Sequence, residues 1–129
     1  MELLIIPYKL QPKERPRFSI HKGKIITYTP KKTHNFENLV KQQFYSQGCK
    51  KVDGCIEVKI QAYFGVKDKK KWGMLKDTRP DTDNIIKIML DALNSLAWDD
   101  DGQVVKITAE KYYSSFDYAK VFYKKVNFF

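Results

Sequence analysis

One stretch of this chain dictates most of what the rest can be: Arg79 to Val105, reading R-P-D-T-D-N-I-I-K-I-M-L-D-A-L-N-S-L-A-W-D-D-D-G-Q-V-V. Ile85, Ile86, Ile88, Met89, Leu90, Ala92, Leu93, Leu96 and Ala97 run through its centre. On a helix they are apolar nearly all round, which requires burial on more than one side. Pro80 turns Arg79 away from helical geometry, and either Thr82 or Asp83 can cap the free N–H groups of the first turn. The polar exceptions are Asn84, Lys87, Asp91 and Asn94, spaced by three, four and three residues into one stripe. Asp81 and Asp83 stand just ahead of this helix, and Asp99, Asp100 and Asp101 just past it.

Each acid has an ordinary explanation. Aspartates favour the positive end of a helix dipole, and Asp-Asp-Asp-Gly makes a turn before a strand. An EF-hand loop does not fit, because Val104 and Val105 stand where oxygen ligands are needed and no glutamate closes the loop in register. The combination is harder to explain: two acid clusters flank a buried helix in a chain of net charge +9. Clustered carboxylates give hard oxygen ligands to a divalent cation, which neutralises phosphate charge and acidifies bound water. The expectation is a divalent-metal site that cuts nucleic acid.

The charge balance agrees. Lysine and arginine number 24 against 15 acids, an excess suited to nucleic acid ahead of an anionic membrane surface. With 43% hydrophobic and 14% aromatic residues the chain is globular, and 129 residues make one expected domain spanning 1–129. No run is apolar enough to span a bilayer, and Leu3–Ile6 is too short for a secretory signal. Cys49 and Cys55 have neither metal-ligand spacing nor a disulfide framework, so the expected setting is cytoplasmic, with reduced thiols. His21 and His34 lie far from the acids, and no Ser-His-Asp or Cys-His pattern offers a metal-free route.

From the start of the chain, Glu2–Tyr8 reads as a buried strand through its run Leu3–Ile6. Pro12 and Pro16 exclude helix from Gln11–Arg17, so Lys13, Arg15 and Arg17 project from an extended basic segment. Phe18–Ile20 and Ile25–Tyr28 form a hairpin eased by Gly23. Thr33–Gln47 carries Phe36, Leu39, Val40, Phe44 and Tyr45 at helical spacing and stops at Gly48. Cys55–Val66 alternates Ile56, Val58, Ile60 and Ala62 against Glu57, Lys59 and Gln61, the clearest strand in the chain. Lys69, Lys70 and Lys71 beside Trp72 either grip a backbone while the indole stacks on an unpaired base, or form a charged loop. Gln103–Tyr113 alternates again, with Val105, Ile107, Ala109 and Lys111 on one face, and Tyr118–Val126 returns as a last strand. The order β-ββ-α-β-α-β-β predicts an α+β fold, helices on one side of a mainly antiparallel or mixed sheet.

The compound pattern R-P-D-T-D-N-I-I-K-x-x-L-D-A-L-N, then D-D-x-Q-V-V, resembles the RusA family of Holliday junction resolvases, particularly its phage-associated branch. The N-terminal P-K-x-R-P-R-F and the Y-T-P before the first helix are similar to that family too. The resemblance implies essential carboxylates at Asp81, Asp83 and Asp101, a supporting acid at Asp100 and a required lysine at Lys87. It also implies a homodimer that uses Mg2+ (Mn2+ can substitute) and makes paired nicks in four-way DNA junctions. Asp99 is an extra acid ahead of the usual pair, and the register of Gln103-Val104-Val105 favours Asp101 for the ligand role. On this reading Asp81, Asp83, Asp100 and Asp101 bind metal, Lys87 neutralises the scissile phosphate or its leaving oxygen, and Arg79 joins Lys13, Arg15, Arg17 and Lys69–Lys71 in holding DNA.

Helical geometry sets a condition on that reading. A helix from Asn84 to Ala97 would be roughly 20 Å long, so Asp83 and Asp101 would stand at its opposite ends. Either the Asp99–Asp101 loop folds back, or a second protomer brings its loop to the start of the first one's helix, as antiparallel pairing about a two-fold axis would do. Two other functions share much of the pattern: a less selective nuclease acting on flaps or branched DNA, and a non-catalytic junction-binding protein whose acids only cap and turn.

Overall fold

The computed structural model describes residues 1–10, 17–21, 23–28 and 31–127. Side-chain alternation builds its main sheet. In β4 (Ile56–Gly65), Ile56, Val58, Ile60 and Ala62 are fully buried, while Glu57, Lys59, Gln61 and Tyr63 point the other way. Along one side of it runs β6 (Tyr118–Lys125), antiparallel, burying Ala119, Val121 and Tyr123. Beyond β6 lies β1 (Glu2–Ile6), also antiparallel. On the other side of β4 lies β5 (Val104–Ser114), in parallel. The sheet is therefore mixed, in the order β1-β6-β4-β5, and a separate antiparallel hairpin joins β2 (Arg17–His21) to β3 (Lys24–Tyr28).

Parallel neighbours need a crossover, and here it contains a helix. The helix α2 (Thr82–Leu93) lies between β4 and β5 in sequence, whereas α1 (Lys31–Ser46) precedes β4. α1 packs against β1, α2 against β5, and the two helices against each other. Phe36, Val40 and Phe44 of α1 meet Ile85, Ile88, Met89, Ala92 and Leu93 of α2 and the inner face of the sheet in one apolar core. The fold class and the order of elements are those expected. No helix among the described residues is long and apolar enough to cross a membrane.

Several expectations need correction. The first strand is not buried on both faces: Leu4 and Ile6 are fully buried, but Leu3 and Ile5 are 42% and 40% exposed, because both described helices pack on the sheet's other face. Its free edge is instead closed by Gln47, whose Oε1 accepts from the Ile5 N–H at 2.9 Å and whose Nε2 donates to the Ile5 carbonyl at 2.6 Å. Tyr45 is exposed, not part of the buried face of α1. The central helix ends at Leu93, four residues before Ala97. Asn94 turns to extended geometry and Ser95 takes φ 70, a departure favoured by two short polar side chains that compete with helical hydrogen bonds. Leu96, Ala97 and Trp98 retain their apolar spacing because they drop into the core as a turn. Trp98 is fully buried and meets Tyr123 edge-on at 6.0 Å.

Candidate active site

The approach to α2 is built by β5. Lys111 lies on the strand's core-facing side, where an ammonium must find acceptors. Its Nζ donates to the carbonyls of Thr78 at 2.8 Å and Pro80 at 2.9 Å. One turn of sequence earlier, the Lys76 N–H donates to the Lys111 carbonyl at 2.9 Å, and the Lys76 Nζ donates to the Thr78 hydroxyl at 2.6 Å. The same hydroxyl lies 3.4 Å from that of Tyr113. Backbone and side chains of a rigid strand thus clamp the segment leading into Asp81.

Asp81 itself occupies the N-cap position, one residue earlier than Thr82 or Asp83, the caps anticipated from the sequence. Its backbone is extended, its carbonyl receives the N–H groups of Asn84 and Ile85, and its carboxylate makes no capping hydrogen bond. Asp83 follows in the first turn. Both residues are exposed, and Lys87 is exposed one turn further along α2. Two acids and a lysine therefore share the start of one helix, with the acids beside its N–H groups.

The three acids beyond the helix divide by partner. Asp99 forms an ion pair with Lys51 at 2.8 Å. Asp100 caps a 3-10 turn over Asp101–Gln103: its Oδ2 accepts from the Gly102 N–H at 2.9 Å while Gln103 returns a bond to the Asp100 N–H. A side chain at position 102 would place its Cβ 2.7 Å from that same Oδ2, so glycine is what permits the cap. Asp101 accepts from the indole N–H of buried Trp98 at 2.7 Å. The acid that the register of Gln103 singled out is thus pinned to the core.

These two acid sets do not meet within one chain. α2, 12 residues long, spans about 18 Å from the first to the second. β5 then returns antiparallel to it, since Val104 follows the acidic turn and Lys111 grips the start of α2, a separation of about 23 Å along the strand. Two independent rulers give the same answer. Among the described residues no group of three or more His, Cys, Asp or Glu side chains is placed to hold a metal ion. Of the two arrangements left open above, the loop folding back within its own chain is excluded for these residues.

The basic residues also sort themselves. Lys51, Lys59, Lys106, Lys124 and Lys125 are paired with carboxylates, four of these pairs through the sheet's outer face and its margins. Among the described residues, Lys69, Lys70, Lys71, Lys76, Arg79, Lys87 and Lys111 have no such partner. Lys9, Lys24, Lys41, Lys50, Lys67 and Lys120 lack one as well, but the seven named first lie in the segment before α2, on its early turns or on the strand that grips its start. Lys69–Lys71 form a short 3-10 turn capped by Asp68, and Lys71 and Lys76 both lie over the Tyr113 ring, at 5.5 and 4.9 Å. Trp72 is 40% exposed and anchored, its indole N–H donating to the Val66 carbonyl. Lys13 and Arg15 lie outside the described residues, and Arg17 is described only as the first residue of β2. Lys76, Lys111 and Tyr113 were missed as site residues from sequence, although a lysine on the apolar face of an alternating strand was a legible signal at Lys111.

The family model for endodeoxyribonuclease RusA matches residues 7–121, and the chain belongs to that family. It is 32% identical over 127 residues to the uncharacterized protein YqaN of Bacillus subtilis (strain 168), covering 88% of each chain. It is 30% identical over 94 residues, 70% of each chain, to the crossover junction endodeoxyribonuclease rusA of Lactococcus phage r1t.

Proposed function

We propose that this protein is a metal-dependent endodeoxyribonuclease that resolves four-way DNA junctions by paired nicks, acting as a homodimer in recombination and repair. The observation that carries the reading is the pair Asp81 and Asp83: exposed carboxylates at the head of α2, with Asp81 making no cap bond, one turn from Lys87. Their hard oxygens suit Mg2+ or Mn2+, but two residues of one chain make an incomplete site. The partner subunit's Asp101, with Asp100 in support, completes it. Two such sites related by a two-fold axis match a substrate in which two strands of like polarity must be cut.

A divalent cation held there would supply an acidified water and charge neutralisation at the phosphate. The protein's side chains do the rest. Asp81 and Asp83 would hold the cation from the N-cap and first turn of α2, and Lys111, through the Thr78 and Pro80 carbonyls, keeps the segment before that turn in place. The Lys87 ammonium takes up negative charge at the scissile phosphate or its leaving oxygen. Lys69, Lys70, Lys71 and Arg79 hold the flanking backbone through phosphate contacts that weaken as salt rises.

Mixing inactive subunits tests this directly. Asp81→Asn and Asp101→Asn proteins should each fail to cut a synthetic four-way junction in Mg2+ yet still bind it. Refolded together, they should regain cleavage, because a mixed dimer holds one site with both wild-type acids. Sites contained within single chains would leave the mixture inactive. Equal cutting of flaps, forks and four-way junctions by the wild type would replace junction resolution with a broader nuclease activity.

A further inference from the structure

At the end of the sheet where Lys111 grips the start of α2, the side chains turned away from the helices form one row. Tyr63 of β4 stands opposite Tyr118 of β6 and Tyr112 of β5, and Tyr112 is bridged in turn to Leu75. Directly opposed residues point to the same face, so these four side chains all stand on the side away from the core. The rings are stacked: Tyr63 lies 4.3 Å from Tyr118 at an interplanar angle of 2°, and 5.3 Å from Tyr112 at 19°. Phe116 adds a further ring on Tyr118, 4.6 Å away at 24°. Since Tyr63 occupies one face of the Tyr118 ring, Phe116 takes the other, and among the described residues the stack ends there.

The rings are held in place from several sides. Between β5 and β6 the chain crosses the end of β4 at Gly65. The Gly65 N–H donates to Asp117 Oδ1 at 2.7 Å, and a Cβ at position 65 would lie 3.1 Å from the Phe116 Cα. The Tyr63 hydroxyl donates to Gln61 Oε1 and the Tyr112 hydroxyl to Glu110 Oε2, which fixes both rings along their strands. The two ends of the row stay in water: Leu75 is 68% and Phe116 59% exposed. Cross-strand packing accounts for the three tyrosines. It does not account for Phe116, an apolar ring displayed from a turn with one face open.

Charge along the row favours an anion. The Lys120 Nζ lies 5.9 Å from the centre of the Tyr63 ring and has no carboxylate partner among the described residues, and Lys69–Lys71 belong to the segment that delivers Leu75. The acids nearby are engaged: Glu110 accepts from Tyr112 and Gln61 and faces Lys59 at 3.7 Å, Asp117 holds the Gly65 N–H, and Asp68 caps Lys70. An open ring face beside free ammonium groups suits a ligand that is flat, apolar on both faces and joined to phosphate. We infer that this face of the sheet binds single-stranded DNA, with one unpaired base stacked on Phe116 and the backbone drawn along the row by Lys120 toward Lys69–Lys71. A base inside a duplex has both faces covered by its neighbours and must be drawn out before it can extend the stack, whereas an unpaired base is free to do so. The inference goes beyond the nuclease reading and concerns binding alone.

Fluorescence anisotropy with a labelled oligothymidylate, in EDTA so that nothing is cut, tests this. The parent should bind at low salt, and Phe116→Ala should bind about 5- to 100-fold more weakly, the usual range for one base–aromatic stack. Phe116→Trp should keep the affinity, whereas Phe116→Leu, apolar but not flat, should fall with the alanine variant. A 2-aminopurine placed in the strand should be quenched on binding to the parent and not on binding to Phe116→Ala. A blunt duplex should bind all of these proteins alike, because its bases are already stacked on one another. Parent binding too weak to detect, or Phe116→Leu and Phe116→Ala holding the strand as the parent does, overturns the inference. An equal loss on strand and duplex overturns it too, since the ring would then serve folding or general attraction. A parent that grips the strand through Phe116 yet cuts no junction would keep this inference and overturn the nuclease reading instead.

Discussion

An ammonium on the apolar side of a strand must hand its protons to something, and at Lys111 the acceptors are the Thr78 and Pro80 carbonyls. The consequence is felt one residue later, at Asp81. Lys111→Met removes both bonds while keeping the length of the side chain. It should slow single-turnover junction cleavage on the order of 10- to 100-fold, the usual result of misplacing a reacting group by about an ångström. Junction affinity measured in Ca2+ should stay near that of the parent, and Lys111→Arg should recover much of the rate. An equal loss of binding and rate would mean that Lys111 touches DNA instead. The candidate acids and Lys87 were legible as sequence because carboxylates and a lysine at fixed spacing form a chemical pattern. The partners of Asp99, Asp100 and Asp101 were not, because Lys51 and the Trp98 indole reach them only through tertiary packing.

At the scale of elements, period-two and helical spacing carried the fold. The alternation in β4, and in β5 from Ile107 onward, lies where the spacing put it; at Val104–Lys106 the register with β4 slips, so that Val104 packs on the core and Val105 is 52% exposed. Periodicity failed at Asn94, where apolar spacing continues but the chain turns; Leu96 to Trp98 reach the core by another route. Nor does spacing alone reveal that the outward side chains of β1, Leu3 and Ile5, stay partly exposed. α2 has its stability in the buried stripe Ile85, Met89 and Leu93, all fully buried. Met89→Ala should cost about 2–5 kcal/mol of unfolding free energy through reduced burial and the cavity left behind, measurable by urea denaturation. A cost under about 1 kcal/mol would show that the helix is not tied into the core in this way.

Over the described residues, lysines on the sheet's outer face and margins are neutralised by carboxylates, whereas those leading into α2 are among the ones that are not. Reversing Lys69, Lys70 and Lys71 to glutamate should weaken junction binding and flatten its salt dependence, by a slope of up to about 0.9 for each phosphate no longer neutralised. Mg2+ affinity should be unchanged, since these lysines do not touch the acids. Binding that persists at physiological salt would move the DNA surface elsewhere. Whether the two acid sets could meet was beyond the sequence, because it depends on the direction in which β5 returns beside α2.

Gln47 has one more consequence. By filling the hydrogen-bonding groups of Ile5 with its own amide, it seals the margin of the sheet farthest from β5. A strand edge whose donor and acceptor are already taken offers a poorer template to the strand of another chain. Edge-to-edge association is thereby discouraged at that margin of the sheet.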